Sequence, residues 1–202
     1  GSYAFYKCTN LTTVTIPTTV TSICDYAFSY CPLNTISIPN SVTTIGSAAF
    51  YENKAVTSVT IGSGVTYIGY NTFSVDDSWW LQENNQLTKT IYTGDLAGWC
   101  AIKFGSFYAN PAARSKNLYI NDVLVNDAVV PANVTKIGDY AFCNNKALRT
   151  LTISNGVDSI GRSAFSCCDW ITKLVLPESL KSIGQEAFSY CWMDSVTIPS
   201  QI

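Results

Sequence analysis

The sequence contains no histidine, and this absence narrows the chemistry open to the protein. Imidazole is the commonest general base and the commonest metal ligand in proteins. Serine and cysteine triads that depend on imidazole are therefore excluded for this chain of 202 residues. No pattern places two carboxylates across a cleft, as a glycosidase requires. We expect a protein that is not an enzyme and that holds no metal and no cofactor.

Charged residues and long apolar runs are scarce as well. Asp, Glu, Lys and Arg make up 13% of the chain, and the formal net charge is −2. Because there is no basic stretch, we expect no nucleic-acid partner. No run of about 18 apolar residues exists, so no segment is predicted to span a membrane. The hydrophobic share of 47% is enough for a large core and argues against disorder.

What the sequence does contain is a repeat. Its clearest copy, residues 33–53, reads LNTISIPNSVTTIGSAAFYEN. One phenylalanine marks each copy: Phe5, Phe28, Phe50, Phe73, Phe142, Phe165 and Phe188. The spacing between neighbouring copies is nearly constant, except that the interval from Phe73 to Phe142 is three times as long. A fixed period in the low twenties indicates a solenoid with one short strand per coil.

Each copy predicts the same succession of local structures. It opens with LxxIxI, as at Leu33, Ile36 and Ile38, where the last two apolar residues alternate as in a strand. Pro39 then ends the strand, because a strand between two neighbours cannot spare an amide donor. In the VxxIG piece the chain turns back, and glycine permits a positive φ at that corner. The Ala-Phe piece that follows is predicted to form a single helical turn.

The full pattern, LxxIxIPxxVxxIGxxAFxxCxx, resembles the BspA-type leucine-rich repeat and covers about three quarters of the chain. The resemblance implies a curved right-handed solenoid, mainly β, with a parallel sheet on one face. It also implies a surface or secreted protein of anaerobic host-associated bacteria or some parasitic protozoa. The roles proposed for that family are adhesion and the binding of host or bacterial partners.

The pattern is interrupted between Phe73 and Phe142. That interval equals three repeat periods, but strand-like segments at 87–92 and 125–130 favour two enlarged coils. The chain would then be one solenoid domain of about eight coils, each of roughly 22–23 residues. Its regular coils occupy residues 1–75 and 123–202, and an irregular insertion region occupies residues 76–122. Both ends stop in mid-repeat without polar caps, so we expect a fragment of a longer protein.

Local signals predict several elements inside the insertion region. Asp95 can serve as the N-cap of a short helix whose buried face carries Leu96, Trp99 and Cys100. Asn110 and Pro111 are predicted to break the chain. Asn121 and Asp122, between two apolar triplets, predict a two-residue β-hairpin.

The cysteines follow the repeat. Cys8, Cys31, Cys168 and Cys191 each lie three positions after the repeat phenylalanine, a place taken by asparagine in two other copies. An alternation of Cys and Asn favours a small polar side chain that bonds to the backbone of a turn. Disulfides and a metal site are the other interpretations, but no CxxC-like pairs are present to support a metal site.

The insertion region also holds the candidate binding residues. Exposed aromatic rings can stack on a sugar or anchor a protein partner. We therefore select Trp79, Trp80, Tyr92, Phe107 and Tyr108. For Trp79 and Trp80, the alternative is that the insertion folds over the edge of a coil and the indoles seal it.

Together these features predict a non-catalytic binding or adhesion module of an extracellular or cell-surface protein. Its partner would be a protein ligand or a surface glycan, the latter held by the aromatic residues of the insertions. A structural spacer that presents another domain is the alternative. End-to-end self-association is a further possibility, since open end coils carry unpaired strand edges.

Overall fold

A computed structural model describes residues 1–75 and 86–202. The chain winds into a solenoid in which successive coils stack as parallel strands, and the regular coils keep the repeat interval in their pairing. The predicted repeat fold, mainly β with parallel strands, is confirmed. Of the helices in the described ranges, none has the length and apolarity needed to cross a membrane.

The LxxIxI segments form the main ladder of parallel strands, as predicted. Side chains alternate along each strand, so that Val59 and Ile61 are buried while Ser58 and Thr60 face outward. Each fully buried aliphatic side chain of this kind contributes roughly 1.5–3 kcal/mol to folding. The strands are β2 (Thr35–Ser37), β4 (Ser58–Ile61), β6 (Lys89–Tyr92) and β8 (Leu118–Ile120), then β10 (Asp127–Val130), β12 (Thr150–Ile153) and β14 (Lys173–Val175).

The VxxIG segments form a second ladder, which the sequence did not predict. Each coil adds a strand of two residues, an outward polar or aromatic residue followed by a residue that faces the core. These strands are β1 (Ser22–Ile23), β3 (Thr44–Ile45), β5 (Tyr67–Ile68) and β7 (Lys103–Phe104), then β11 (Lys136–Ile137), β13 (Ser159–Ile160) and β15 (Ser182–Ile183). A strand of two residues is too short to be recognised in the sequence from the alternation of outward and inward side chains.

The glycine that follows most second-ladder strands (Cys24 follows β1) permits close packing, and the expected positive φ at this corner is wrong. Gly46 and Gly69 do not have positive φ. A Cβ added to Gly46 would lie 2.5 Å from the backbone nitrogen of Asp25, and one on Gly69 would lie 2.4 Å from that of Ser47. Glycine therefore allows the corners of neighbouring coils to touch.

The Ala-Phe segment forms a pair of turns, and the predicted helical turn is wrong. The residues two before and two after the repeat phenylalanine are left-handed, as at Tyr26 (φ 56°) and Tyr30 (φ 58°). Their N–H groups donate to the next coil, to Ser47 O at 3.0 Å and Tyr51 O at 2.8 Å. These bonds help to offset the roughly 1–2 kcal/mol that a left-handed non-glycine residue costs.

The repeat phenylalanines stack in two rows, one on each side of the insertion region. Neighbouring rings are nearly parallel, with centroids 5.0–5.6 Å apart from Phe5 to Phe73 and 5.0–5.3 Å apart from Phe142 to Phe188. Each such pair contributes roughly 0.5–1.5 kcal/mol beyond its buried area. The stacking, like both ladders, is interrupted at the insertion region.

Helices and a hairpin fill the described part of that region. Helix α1 (Leu96–Ala101) begins at Asp95, whose carboxylate accepts from Gly98 N at 2.7 Å, so the predicted cap is confirmed. The predicted break at Asn110 and Pro111 is confirmed: extended Asn110 separates the short 3-10 helix Phe107–Ala109 from helix α2 (Pro111–Ser115). The side chain of Asn110 caps α2, and proline suits a first helical position because its missing N–H is not needed there.

The predicted hairpin is confirmed, and it divides the main ladder. Strand β9 (Val123–Leu124) pairs antiparallel with β8 across a turn in which Asn121 and Asp122 have φ of 47° and 66°. The described main ladder therefore consists of a sheet ordered β2-β4-β6-β8-β9 and a separate sheet ordered β10-β12-β14. Both strands expected in the interruption are present, as β6 and β10. The parallel pairing of β8 with β6 was not expected.

Trp99 bridges the two parts of the core, where the sequence had placed it. It is fully buried, and its ring centroid lies 5.5 Å from that of Tyr92 and 5.4 Å from that of Phe104. Its indole N–H donates to Ala141 O at 2.8 Å. In regular coils, the carbonyl of the alanine in the Ala-Phe pair accepts the backbone N–H of the repeat phenylalanine one coil earlier. Trp99, together with the side-chain amide of Asn110 at 3.0 Å, thus supplies Ala141 O with donors in place of the phenylalanine N–H that the interruption removes.

Candidate binding surface at the interruption

The five residues selected from the sequence lie in three different settings. Trp79 and Trp80 belong to residues 76–85 and lie outside the described residues. Phe107 and Tyr108 lie in a short 3-10 helix, Phe107–Ala109. Tyr92 lies at the end of β6. In the described ranges, Tyr108 offers the most exposed of the selected rings.

Tyr92 is a core residue and does not present its ring to a partner. It is 2% exposed, packs against Trp99, and its hydroxyl donates to Ser63 O at 3.3 Å. Burial raises the pKa of Tyr92, and the nearby charge of Asp95 raises it further. Its selection as a surface residue is corrected for a simple reason. In the register of the main ladder Tyr92 pairs with Ile61, which faces inward.

Phe107 and Tyr108 form a small aromatic pair beside the row of turns. The two rings meet edge to face with centroids 5.3 Å apart, and Tyr108 is 50% exposed while Phe107 is partly buried. The carbonyl of Tyr108 accepts from Phe73 N at 3.1 Å, which ties this segment to the last regular turn before the interruption. The pair is accessible, and its role in binding stays a prediction.

The hairpin brings together a group of residues that the sequence analysis did not select. Lys89 Nζ lies 2.9 Å from Asp122 Oδ1 and 4.8 Å from the centroid of the Tyr119 ring. Val123, next in the hairpin, is 70% exposed. On β6, Ile91 pairs with Tyr119 and is partly buried. Val123 pairs with Ile120, so its side chain leaves the hairpin on the side opposite Tyr119. We name the outward-facing Lys89, Ile91 and Tyr119, with Asp122 and Val123 at the hairpin edge, the hairpin face.

The hairpin face differs from the regular surface of the main ladder. On β2 and β4 the outward residues are hydroxyls: Thr35, Ser37, Ser58 and Thr60. At the interruption they give way to a tyrosine and an isoleucine, with one ion pair at the border and an exposed valine at the edge of the hairpin. Beyond the hairpin, Val129 on β10 continues the apolar character at 61% exposure. The signal missed in the sequence is register, because residues far apart along the chain become neighbours only when β6 pairs with β8.

Three of the cysteines at the repeat position have a structural role. Cys31, Cys168 and Cys191 donate to the carbonyl of the phenylalanine one coil earlier, at 3.1, 3.0 and 3.2 Å. Asn53 makes the same bond at 2.8 Å. All eight cysteines are free. The predicted Cys and Asn alternation in backbone bonding is confirmed.

Burial also keeps these thiols protonated. It raises the pKa of Cys100 to about 12 and that of Cys191 to about 11. The thiolate is the nucleophile and the metal ligand, so both groups are inert near neutral pH. Within residues 1–75 and 86–202, no three His, Cys, Asp or Glu side chains come together as metal ligands would.

Comparison with known proteins gives a family and a fold. The model of the BspA-type leucine-rich repeat region matches in six copies over residues 1–94 and 115–202. The crystal structure of the pneumococcal vaccine antigen PcpA superposes with a TM-score of 0.54 at 17% identity, over 90% of this chain and 54% of that one. The chain thus spans about half the length of that protein. No curated protein matches.

Two further solved structures are leucine-rich repeat proteins. A Treponema pallidum protein is 20% identical with a TM-score of 0.47, over 86% of this chain and 71% of that one. A Bacteroides ovatus protein is 19% identical with a TM-score of 0.44, over 98% of this chain and 63% of that one. Proteins with this repeat are typically protein-binding surface proteins and are generally non-catalytic. The repeat covers most of the sequence, and the chain belongs to the BspA-type leucine-rich repeat family.

Proposed function

We propose that this chain is a non-catalytic binding module of a cell-surface or secreted protein and that it binds a protein partner through the hairpin face. The observation that carries the proposal is Val123, an apolar side chain that is 70% exposed at the edge of the hairpin that also holds Tyr119 and the Lys89–Asp122 ion pair. The fold gains little from an exposed valine at that position. A partner that covered it would gain its burial.

The arrangement of the hairpin face suits a protein interface. Tyrosine is enriched in the energetically dominant residues of interfaces, because it buries a large rigid area at a small entropic cost. Tyr119 is held on a paired strand, with Lys89 over its ring and Asp122 fixing that lysine. The hydroxyl rows of β2 and β4 provide a polar border, as the rims of interfaces commonly do.

The proposal is tested by measuring binding to a panel of host extracellular-matrix proteins and mucin glycans by biolayer interferometry. For a protein that binds, Val123→Asp is expected to weaken affinity at least tenfold, a loss of about 1.4 kcal/mol. The matched control is Val175→Asp, since Val175 is an exposed valine, 41% accessible, on the outward side of β14 in the regular coils. We expect its effect to stay within about twofold.

Three outcomes would contradict the proposal. Equal losses in the two variants would place binding outside the hairpin face. Binding of glycans alone would favour carbohydrate recognition through exposed aromatic residues such as Tyr108. A complete absence of binding would favour a structural spacer that presents another domain.

A further inference from the structure

The second ladder contains a gap where the insertion region interrupts it. Among the described strands, β7 pairs only with β5 and β11 pairs only with β13. Between β7 and β11 lies a groove of about 540 Å³. One wall includes Lys103 and Phe104, and the other includes Val134, Thr135 and Lys136. A single water occupies roughly 30 Å³, so this space is far larger than a packing defect. We name it the ladder gap.

Helix α1 closes one end of the ladder gap. Gly138, just after β11, donates its N–H to Cys100 O at 2.8 Å. In a regular coil, the corresponding glycine donates to a carbonyl of the second-ladder strand in the preceding coil. The same approach requires glycine, since a Cβ on Gly138 would lie 2.8 Å from Ile102 O. The chain of α1 therefore fills the gap at Gly138 and leaves it open beside Lys136.

Both walls direct backbone hydrogen-bonding groups into the ladder gap. Lys103 and Gly105 donate to Thr66 O and Ile68 O on β5, so Phe104, which lies between them, directs its amide groups to the opposite side. Thr135 O and Ile137 O accept from the following coil, so Lys136 directs its amide groups back towards β7. The ladder gap thus has the donors and acceptors of a parallel sheet that lacks one strand.

The side chains on the two walls define what the missing strand should carry. The outward residues are Lys103 and Lys136, and the inward residues are Phe104 and Ile137. Lys136 has only a long contact to Asp139, 3.7 Å, and Asp139 also accepts from Arg162 N at 3.1 Å. In the described part of the chain, no carboxylate forms an ion pair with Lys103. A strand between two lysines is favoured by an acidic residue, and one between Phe104 and Ile137 by an apolar residue.

We propose that the ladder gap binds an extended segment of a partner protein as an added parallel strand. The segment carries an Asp or Glu that faces outward between Lys103 and Lys136, followed by an Ile or Val that faces the core. This mode of recognition takes its affinity from main-chain hydrogen bonds and its specificity from alternate side chains. It uses a surface separate from the hairpin face and goes beyond the function proposed above.

The test uses the whole chain and two labelled peptides, acetyl-Val-Thr-Glu-Ile-amide and its lysine counterpart acetyl-Val-Thr-Lys-Ile-amide. By fluorescence anisotropy, the Glu peptide is expected to bind at least tenfold more tightly than the Lys peptide. In the double variant Lys103→Glu/Lys136→Glu this preference is expected to reverse. Lys181→Glu is the matched control, because Lys181 flanks β15 and makes a similar long contact, 3.8 Å, with Asp158. That variant should keep the original preference.

A second measurement separates strand addition from simple charge attraction. On binding the Glu peptide, amide hydrogen exchange of Lys136 is expected to slow at least tenfold. The amide of Ser182 already donates to Asp158 O at 3.2 Å, so its exchange rate should not change. Equal affinity for both peptides, no binding of either, a preference unaltered in the double variant, or unchanged exchange at Lys136 would each overturn the proposal.

Discussion

Three positions after the repeat phenylalanine, a small polar side chain ties its coil to the coil before in four of the described coils. Cys31, Cys168 and Cys191 make the bond through sulfur, and Asn53 makes it through its amide. The carbonyls that the cysteines reach also accept a backbone N–H from their own turn, so the thiol is a second donor to a carbonyl inside the stack. The position selects for size and hydrogen-bonding capacity, which explains why cysteine recurs there without any redox or metal chemistry.

We predict that Cys168→Ala destabilises the protein by about 0.5–1.5 kcal/mol, because it removes the thiol donor to the carbonyl of Phe142 and leaves only the bond from Asn145 N at 3.2 Å. Cys168→Asn should be better tolerated than alanine, because Asn53 makes this bond in another coil. Cys8, which is exposed, serves as the control, and Cys8→Ala should stay within about 0.5 kcal/mol. Urea unfolding followed by circular dichroism gives all three values. Equal losses for Cys168→Ala and Cys8→Ala would contradict the assigned role.

At the scale of elements, α1 does two tasks at the interruption. It holds Trp99 between the two parts of the core and closes one end of the ladder gap through Cys100. A helix of six residues has little stability of its own, so its cap and its packing must hold it in place. Asp95 supplies the cap.

We expect Asp95→Ala to lower the free energy of unfolding by about 1 kcal/mol, a typical value for loss of an N-cap. Asp95→Asn should change it little, because asparagine accepts the same bond from Gly98 N. Chemical denaturation of the two variants gives the comparison. An equal loss of stability in Asp95→Ala and Asp95→Asn would mean that the charge of Asp95 stabilises the protein and the capping bond does not.

The elements that the sequence predicted correctly are those with local signals. Alternation in LxxIxI identified the main ladder, Asp95 identified the start of α1, and Asn121 with Asp122 identified the hairpin. The elements it missed depend on neighbouring coils. The second ladder has strands of two residues, and the left-handed turns depend on hydrogen bonds to the next coil.

The candidate site was located only in part from the sequence, for the same reason. That the irregular region holds a specific surface stays a prediction, and the hairpin face proposed above lies at the end of that region. Its residues could not be selected, because Lys89, Tyr119 and Asp122 meet only through the pairing of β6, β8 and β9. Tyr92 was wrongly selected as a surface residue, because the direction of its side chain follows from its pairing with Ile61, and that pairing cannot be read from the sequence.

At the scale of the whole molecule, one insertion region interrupts every repeating feature at the same place. Both ladders and the phenylalanine stacking stop there, and Trp99 with α1 joins what lies on either side. In a solenoid each coil contacts only its neighbours, so an interruption alters the surface locally and leaves distant coils unchanged. The chain can thus present irregular surfaces, the hairpin face and the ladder gap, on a regular scaffold.

The most direct test of this account is a hydrogen-exchange map of the chain, free and bound to a protein partner retained from the panel. We predict that protection on binding is concentrated in β6, β8 and β9, at residues 89–92 and 118–124. The regular coils at residues 142–188 should exchange at the same rates in both states. Protection confined to those regular coils, with none at the hairpin, would contradict the claim that the interruption forms the binding surface.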